Sequence, residues 1–312
     1  MATRADAPAR MVLRPPLKWA GGKRQLLPAF RRFYPDTFTR YFEPFLGSGA
    51  VFLDLYQRGR LRERGAILSD TNPDIIGCYR ALRDDVHGVI DQLRGLAARH
   101  ARDGARCFYD VRDTQFNPGR EQILRGADPA GAYTAELAAM LIYLNRTGFN
   151  GLFRLNAKGW FNVPAGRYVS PRICDGDNLR RVSAALASGR VRLECKPFEA
   201  VLADASAGDF CYFDPPYAPV STTASFTAYT SSGFTGRDQR MLRDVVVTLA
   251  RRGCSVMVSN SSAPMIEQLY ATTAVEDAGL AIHRLPARRA INAKAERRGA
   301  VVEYLITNLR PV

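Results

Sequence analysis

From residue 40 onward, short apolar runs alternate with stretches in which apolar residues recur at helical spacing. "YFEPFLGSG" leads into "AVFLDLYQRG", and "AILSD" leads into "TNPDIIGCYRALRD". Further along come "VRLECKPF", "DFCYFDPPY", "MLRDVVVTLARRG", "CSVMVSN", "MIEQLYATT" and "VVEYLITN". Apolar runs of about four to seven residues read as strands, and the amphipathic stretches between them as helices. Their alternation predicts an α/β fold with a mostly parallel sheet covered on both faces.

The alternation breaks off between about residues 75 and 180. This stretch holds a helical pattern, "AAMLIYLNRTGF", and an aromatic, glycine-punctuated segment, "NGLFRLNAKGWFNVPAGRY". The second segment reads as a hairpin or loop with outward arginines. The expected organisation is a sheet domain of residues 15–74 and 181–312, an inserted domain of residues 75–180, and a disordered basic tail over 1–14.

Composition narrows the class. A chain of 312 residues, 46% hydrophobic, has ample material for a core. No stretch approaches the roughly 18 apolar residues of a membrane span, and the N-terminus lacks an apolar signal core, so a cytoplasmic protein is expected. The six cysteines are scattered without CxxC pairing and there are three histidines, which supports neither a disulfide framework nor a metal site. A formal charge of +14 favours a polyanionic partner, although many basic proteins bind none.

Two strand ends carry candidate chemistry. "FEPFLGSG" closes a strand and opens a helix, where Gly47 and Gly49 let the backbone approach a ligand and the helix N-terminus offers unpaired N–H groups. Roughly twenty residues on, "LSD" ends the next strand on Asp70, where nucleotide-binding α/β folds set a carboxylate on ribose hydroxyls. A GxG alone is more often a turn, but strand, glycine loop, helix, strand and acid in that order point to a nucleoside. No third glycine completes a dinucleotide fingerprint. "GGK" at 21–23 is not a phosphate loop, because Arg24 stands where Ser or Thr is required. Read alone, Trp19 is a core aromatic.

The other strand end is "CYFDPPYAPV". Asp214 closes an apolar strand whose end faces the ligand crevice of such a sheet. Pro215 and Pro216 fix the backbone and remove two N–H donors, so that successive carbonyls face the site without a competing donor. Tyr217 adds a flat ring. The set suits a planar group bearing an NH₂: carboxylate and carbonyl accept both protons, localise the nitrogen lone pair and make a poor nucleophile usable. An isolated Pro-Pro would be a turn after an edge strand.

"KWAGGKRQ", "FEPFLGSGAVFLD", "SDTNPDII", "NRTGFNGLFRLNAKGWFNVPAGRY", "DFCYFDPPY", "SNSS" and "RRGAVVEYLITN" together, in this order, resemble the Dam-type (D12 class, alpha group) DNA adenine-N6 methyltransferases. The resemblance covers about residues 17–308. It implies the S-adenosylmethionine-dependent methyltransferase sandwich, a seven-stranded mostly parallel sheet with its last strand antiparallel, plus an inserted, mainly helical target-recognition domain containing a hairpin. It implies that S-adenosyl-L-methionine is held by Trp19, Lys23, Asp70 and Asp214. The loop of Glu43, Phe45, Gly47, Ser48 and Gly49 would curve round its methionine part, with Phe198 against its adenine. Many relatives have an acidic or polar residue before that aromatic, where this chain has Pro197.

Asp214, Pro215, Pro216 and Tyr217 become the catalytic residues by the same resemblance. Leu152, Arg154 and Pro164 would contact target bases and Phe149 would intercalate. Arginine can grip guanine bidentately and apolar side chains can read the thymine methyl. In "HRLPARRAINAKAERRG", Arg284, Arg288, Lys294, Arg297 and above all Arg289 and Arg298 would grip phosphates, a solvated loop being the alternative. The implied reaction is direct methyl transfer to N6 of an adenine flipped out of double-stranded DNA, in GATC or a longer site containing GA, without a metal. The rivals are an RNA or free-base amino methyltransferase, which has no need of the hairpin, and a DNA-binding module that has lost catalysis, which sits poorly with intact Asp214 and Tyr217. The implied setting is the bacterial cytoplasm and nucleoid, as a monomer with a cognate restriction endonuclease as candidate partner.

Overall fold

The computed structural model describes residues 12–19, 21–219, 233–288 and 300–311. A short helix α1 (Leu27–Phe30) precedes strand β1 (Arg40–Glu43), which leads through α2 (Ala50–Gln57) and β2 (Gly65–Asp70) to α3 (Pro73–Asp84). The insertion then follows as α4 (Val86–Asp103), α5 (Ala105–Asp110), a π-helical turn over Val111–Phe116, α6 (Asn117–Leu124) and α7 (Ala135–Thr147). Helix α8 (Gly176–Leu186) returns the chain to β3 (Val191–Cys195), α9 (Val201–Asp204) and β4 (Phe210–Phe213). After α10 (Gly236–Arg251) come β5 (Ser255–Ser261), α11 (Pro264–Tyr270), α12 (Thr273–Glu276), β6 (Ala281–Arg288) and β7 (Ala300–Thr307).

The seven strands form one sheet in the order β3-β2-β1-β4-β5-β7-β6. Strands β1 to β5 are mutually parallel, and β7 lies between β5 and β6, antiparallel to both. This is the seven-stranded, mostly parallel sheet expected from the resemblance, with its last strand reversed. Strand β4, "FCYF", is buried at every position, as a central parallel strand must be. Its side chains alternate between two cores. Phe210 and Tyr212 join one with Tyr41, Leu68 and Met257, whereas Cys211 and Phe213 join the other with Phe42, Val256 and Ile306.

Strand β6 was not expected. Residues 283–288 of it belong to the stretch read as a phosphate-gripping loop, because His283, Arg284, Pro286 and Arg288 interrupt its apolar residues. It is an edge strand, where one face meets water and Pro286 is tolerated. Arg284 is correspondingly occupied: it pairs with Glu267 at 2.6 Å and lies over the Tyr304 ring. Arg289, Lys294, Arg297 and Arg298 lie outside the described residues.

Local signals start the helices. Asn72 accepts from the Asp74 N–H ahead of Pro73 in α3, Thr134 caps α7, and Thr235 with Asp238 forms a capping box on α10. The inserted helices pack into the same core as one face of the sheet, through Leu93, Phe108, Phe116 and Leu144. Among the described residues, no helix is long and apolar enough to cross a membrane.

One buried ion pair pins the insertion to the sheet. Arg120 on α6 meets Asp74 on α3 at 2.8 Å, with side chains 7% and 1% exposed, and the Tyr133 hydroxyl donates to the same carboxylate. Arg120→Ala would strand Asp74 in the interior without a counter-charge, a change that costs about 3–5 kcal/mol. Urea unfolding of the variant should show a loss of that size, and a loss below about 1 kcal/mol would mean that water reaches the pair.

Candidate active site

The chain leaves β1 toward β2 and returns, after β3, to place β4 on the opposite side of β1. The crevice at this switch point opens beyond the C-terminal ends of the strands. It is bordered by the loop at 44–49 after β1, by Asp70 at the end of β2, by the turn that starts at Asp214 and by the end of β5.

The 44–49 loop needs both its glycines. Gly47 and Gly49 take φ of +45° and +61°, and a side chain on Gly47 would come within 3.0 Å of the Trp19 indole. Trp19 therefore covers the loop. Asp70 holds it from below: one carboxylate oxygen accepts from Gly47 N–H at 3.0 Å and the other from Asn72 N–H at 2.9 Å. Each oxygen keeps further acceptor capacity. Burial pushes the Asp70 carboxyl up to about 6, against the pull of those N–H groups. The Ser48 carbonyl accepts from the Tyr79 hydroxyl at 2.6 Å. Phe45 stacks on Phe198 at 5.2 Å with 22° between the rings, and Phe234 meets Phe45 edge-on.

Glu43 stands behind the loop. It is 2% exposed, and its Oε2 accepts from the Tyr41 hydroxyl at 2.8 Å and Phe52 N–H at 3.1 Å, joining β1 to the first turn of α2. Burial lifts its pKa to about 8, and the nearby Asp214 charge pushes in the same direction.

Asp214 lies at the centre of the cleft. Lys23 Nζ sits 2.7 Å from its Oδ1, and the Ser259 hydroxyl donates to the same oxygen at 2.9 Å. Oδ2 takes neither bond. The Asp214 side chain stays 23% exposed while Lys23 is 4% exposed. Burial raises the Asp214 pKa, and Lys23 and Ser259 oppose that rise. Lys23 Nζ also bonds the Gly21 carbonyl and lies 4.5 Å from the centre of the Tyr217 ring. The Tyr217 hydroxyl donates to Glu303 Oε2 at 2.6 Å.

The turn differs from expectation in one respect. The Pro216 carbonyl is not open, because Gln239 Nε2 donates to it at 3.0 Å. Asn260 Nδ2 in turn donates to Gln239 Oε1 at 3.0 Å, and Ala218 N–H reaches Asn260 Oδ1 at 3.4 Å. This chain of amides fixes the turn from β5 and α10. Ser259, Gln239, Asn260 and Glu303 were not singled out from the sequence. "SNSS" holds Ser259 and Asn260 and the last-strand motif holds Glu303, whereas no motif holds Gln239; which strand side chain faces the turn depends on register.

The glycine-punctuated segment of the insertion comes close to the cleft: Phe153 stacks on Trp19 at 5.6 Å. It is a loop closed by two isolated bridges, Gly148 with Ala165 and Leu155 with Phe161, rather than a regular hairpin. Phe149 is 45% exposed and Pro164 is exposed, but Leu152 is only 8% exposed and belongs to the core. Arg154 is half-buried, with Nε donating to Asn162 Oδ1 at 2.8 Å and Nη2 to the Asn162 carbonyl at 3.3 Å.

The Asp-Pro-Pro-Tyr turn follows β4 at the switch point of this sheet, with Glu43 at the end of the neighbouring β1 and Asp70 one strand further out at the end of β2. The chain belongs to the D12 class N6 adenine-specific DNA methyltransferases, whose family model it matches over residues 19–291. It is 38% identical to the type II methyltransferase M1.LlaDCHI of Lactococcus lactis subsp. cremoris, over 95% of each chain. It is 36% identical to the type II methyltransferase M.MjaIII of Methanocaldococcus jannaschii, over 96% of this chain and all of that one. The DNA adenine methylase of Escherichia coli K12 is 31% identical over 93% of each. The protein is thus a DNA adenine-N6 methyltransferase.

The neutral Glu43 predicts a pH effect on stability. The folded protein keeps this proton up to about pH 8, whereas an ordinary glutamate loses it near 4.5. Between those values the native state binds more protons, so stability falls as pH rises and levels off above the folded value. Glu43→Gln should flatten that part of the curve in urea melts from pH 5 to 9, and an unchanged slope would show that Glu43 is ionised in the native state.

Proposed function

We propose that the cleft binds S-adenosyl-L-methionine and, opposite it, an adenine flipped from double-stranded DNA, in GATC or a longer site containing GA. The observation that carries this reading is Asp214, held on one oxygen by Lys23 and Ser259 and still partly open to the cleft. The cofactor supplies an electrophilic methyl group. Trp19 and the 44–49 loop fit its chain, the second acceptor sites of Asp70 fit ribose hydroxyls, and the stacked Phe45 and Phe198 offer apolar walls for its adenine.

The protein's own groups prepare the nucleophile. Asp214 accepts a hydrogen bond from one N6 proton and the Pro215 carbonyl accepts one from the other, the Pro216 carbonyl already holding Gln239. Burial raises the Asp214 pKa and Lys23 opposes that rise, favouring the charged form that can accept. The Tyr217 ring, fixed at its hydroxyl by Glu303, stacks on the base. Orientation and fixed dipoles supply the catalysis.

Residues 15–74 and 181–312 are assigned to catalysis and 75–180 to target recognition. Phe149 and Pro164 lie on the open side of the insertion. With Leu152 in the core, the apolar contact to thymine falls to Pro164. The likeness to type II methyltransferases fits action beside a restriction endonuclease.

Asp214→Ala should lower methyl transfer to DNA more than about tenfold, a barrier increase above roughly 1.4 kcal/mol, in a radiolabelled assay run in parallel on DNA, RNA and nucleosides. Transfer to RNA or free nucleosides instead of DNA would overturn the substrate. Asp70→Ala should weaken S-adenosyl-L-methionine binding by about 1.5–3 kcal/mol, the range for a hydrogen bond to a charged group. Calorimetry showing unchanged affinity would remove Asp70 from the site. Sequencing of N6-methyladenine in DNA from expressing cells tests the site: modified adenines with no preceding guanine would exclude GATC.

A further inference from the structure

Three polar side chains on one helical segment grip one strand of the loop at 148–166. Arg112 Nη1 donates to the Val163 carbonyl at 3.0 Å. Asn117 both accepts from Phe161 N–H at 2.8 Å and donates to the Phe161 carbonyl at 3.1 Å, as a neighbouring strand would. Arg120 Nη1 donates to the Gly159 carbonyl. The contacts on residues 159, 161 and 163 follow the two-residue period of an extended strand. The intervening residues bond the other way: Asn156 N–H to the Trp160 carbonyl at 2.9 Å, and Asn162 N–H to the Arg154 carbonyl at 3.1 Å. Both edges of this short strand are thus filled, one by backbone and one by the side chains of the helix.

The π turn makes this possible. In an unbroken α-helix, residues five apart lie about 140° from each other around the axis. The wider turn over Val111–Phe116 reduces that angle and lets Arg112 share a face with Asn117 and Arg120. Two of the three groups, Asn117 and Arg120, are buried, at 2% and 5% exposure. Arg120 also reaches Asp74, two residues beyond Asn72, whose own N–H is held by Asp70. The grip therefore runs by direct bonds from the acid beside the cleft to the strand carrying Asn162, on which Arg154 rests.

We propose that Asn117 and Arg120 are positioning residues for base discrimination: they fix the register of the strand that orients Arg154, and so set how sharply the enzyme separates its target from a site with one changed base pair. This rests on the reading of the loop as the DNA-reading element. A strand held along both edges needs no ordering when DNA docks, and a guanidinium aimed in advance discriminates where a loosely held one merely attracts.

The test compares kcat/KM on a duplex carrying the mapped target with that on duplexes changed at one flanking base pair, for the wild type, Asn117→Ala, Arg120→Lys and Arg154→Ala. Arg120→Lys keeps the buried charge opposite Asp74, but one ammonium cannot reproduce the guanidinium fork that serves Asp74 and Gly159 together. Should Asn117→Ala fail to fold, Asn117→Ser with Arg120→Lys carries the comparison. Each folded variant should lower the discrimination ratio by about fivefold or more, near the low end of what a bidentate base contact is worth, with unchanged S-adenosyl-L-methionine affinity by calorimetry. A smaller change in both folded variants, with only the melting temperature lowered, overturns the proposal in favour of a purely structural role. Arg154→Ala separates the two levels. If it collapses the ratio while the positioning variants do not, only this proposal falls; if it too leaves the ratio intact, the loop does not read that base pair and both readings fall.

Discussion

A carboxylate that loses most of its water and is matched by a buried lysine governs the cleft. Burial alone drives Asp214 toward its neutral form, which would be a poor acceptor for an amino proton. Lys23 and Ser259 oppose this with a charge and a hydroxyl on a single oxygen. The arrangement demands a lysine buried at 3% exposure, and that lysine is tolerable only because it finds Asp214, the Gly21 carbonyl and the Tyr217 ring together. The groups depend on one another: removal of any one leaves a partner exposed to the desolvation it was matched against.

The remaining acids are arranged so as not to compete. Glu43 lies on the strand next to the one that ends at Asp214, and a second negative charge there would repel the first. Its high pKa keeps it neutral, and it serves instead as a hydrogen-bonded strut between β1 and α2. Asp70 sits one strand further out and spends a bond from each oxygen on the turns around it. Three carboxyl groups at three neighbouring strand ends thus have three roles, set by their surroundings rather than by residue type.

The sheet was legible in the sequence because its parallel strands are short, carry apolar runs and are punctuated by glycine or proline at the ends. The DPPY turn and the 44–49 loop were legible for the same reason. Strand β6 was not, since His283, Arg284, Pro286 and Arg288 interrupt its apolar residues and give it the look of a basic loop. Neither was the second layer of the site. Ser259 and Glu303 lie within motifs but act through strand register, whereas Gln239 acts through helix packing with no motif beside it. The burial of Leu152 was hidden for a related reason: a motif fixes which residues share the loop at 148–166, but only packing decides which of them turn inward.

The segment before β1 explains how the cleft and the insertion hold one geometry. It belongs to no strand, yet it touches every part. Asn145, buried at the end of α7, accepts from the Lys18 N–H at 2.7 Å and donates to the carbonyls of Lys18 and Gly151 at 2.8 and 2.9 Å. Arg146 holds the Pro16 carbonyl at 2.8 Å. Trp19 lies between the Gly47 loop and Phe153, and Lys23 ends the segment on Asp214. Within six residues, backbone bonds to the insertion give way to a side chain on the glycine loop and then to a charge on the central acid. A shift of the insertion would therefore pull on Lys23 as well, since one segment ties the loop at 148–166 to Asp214.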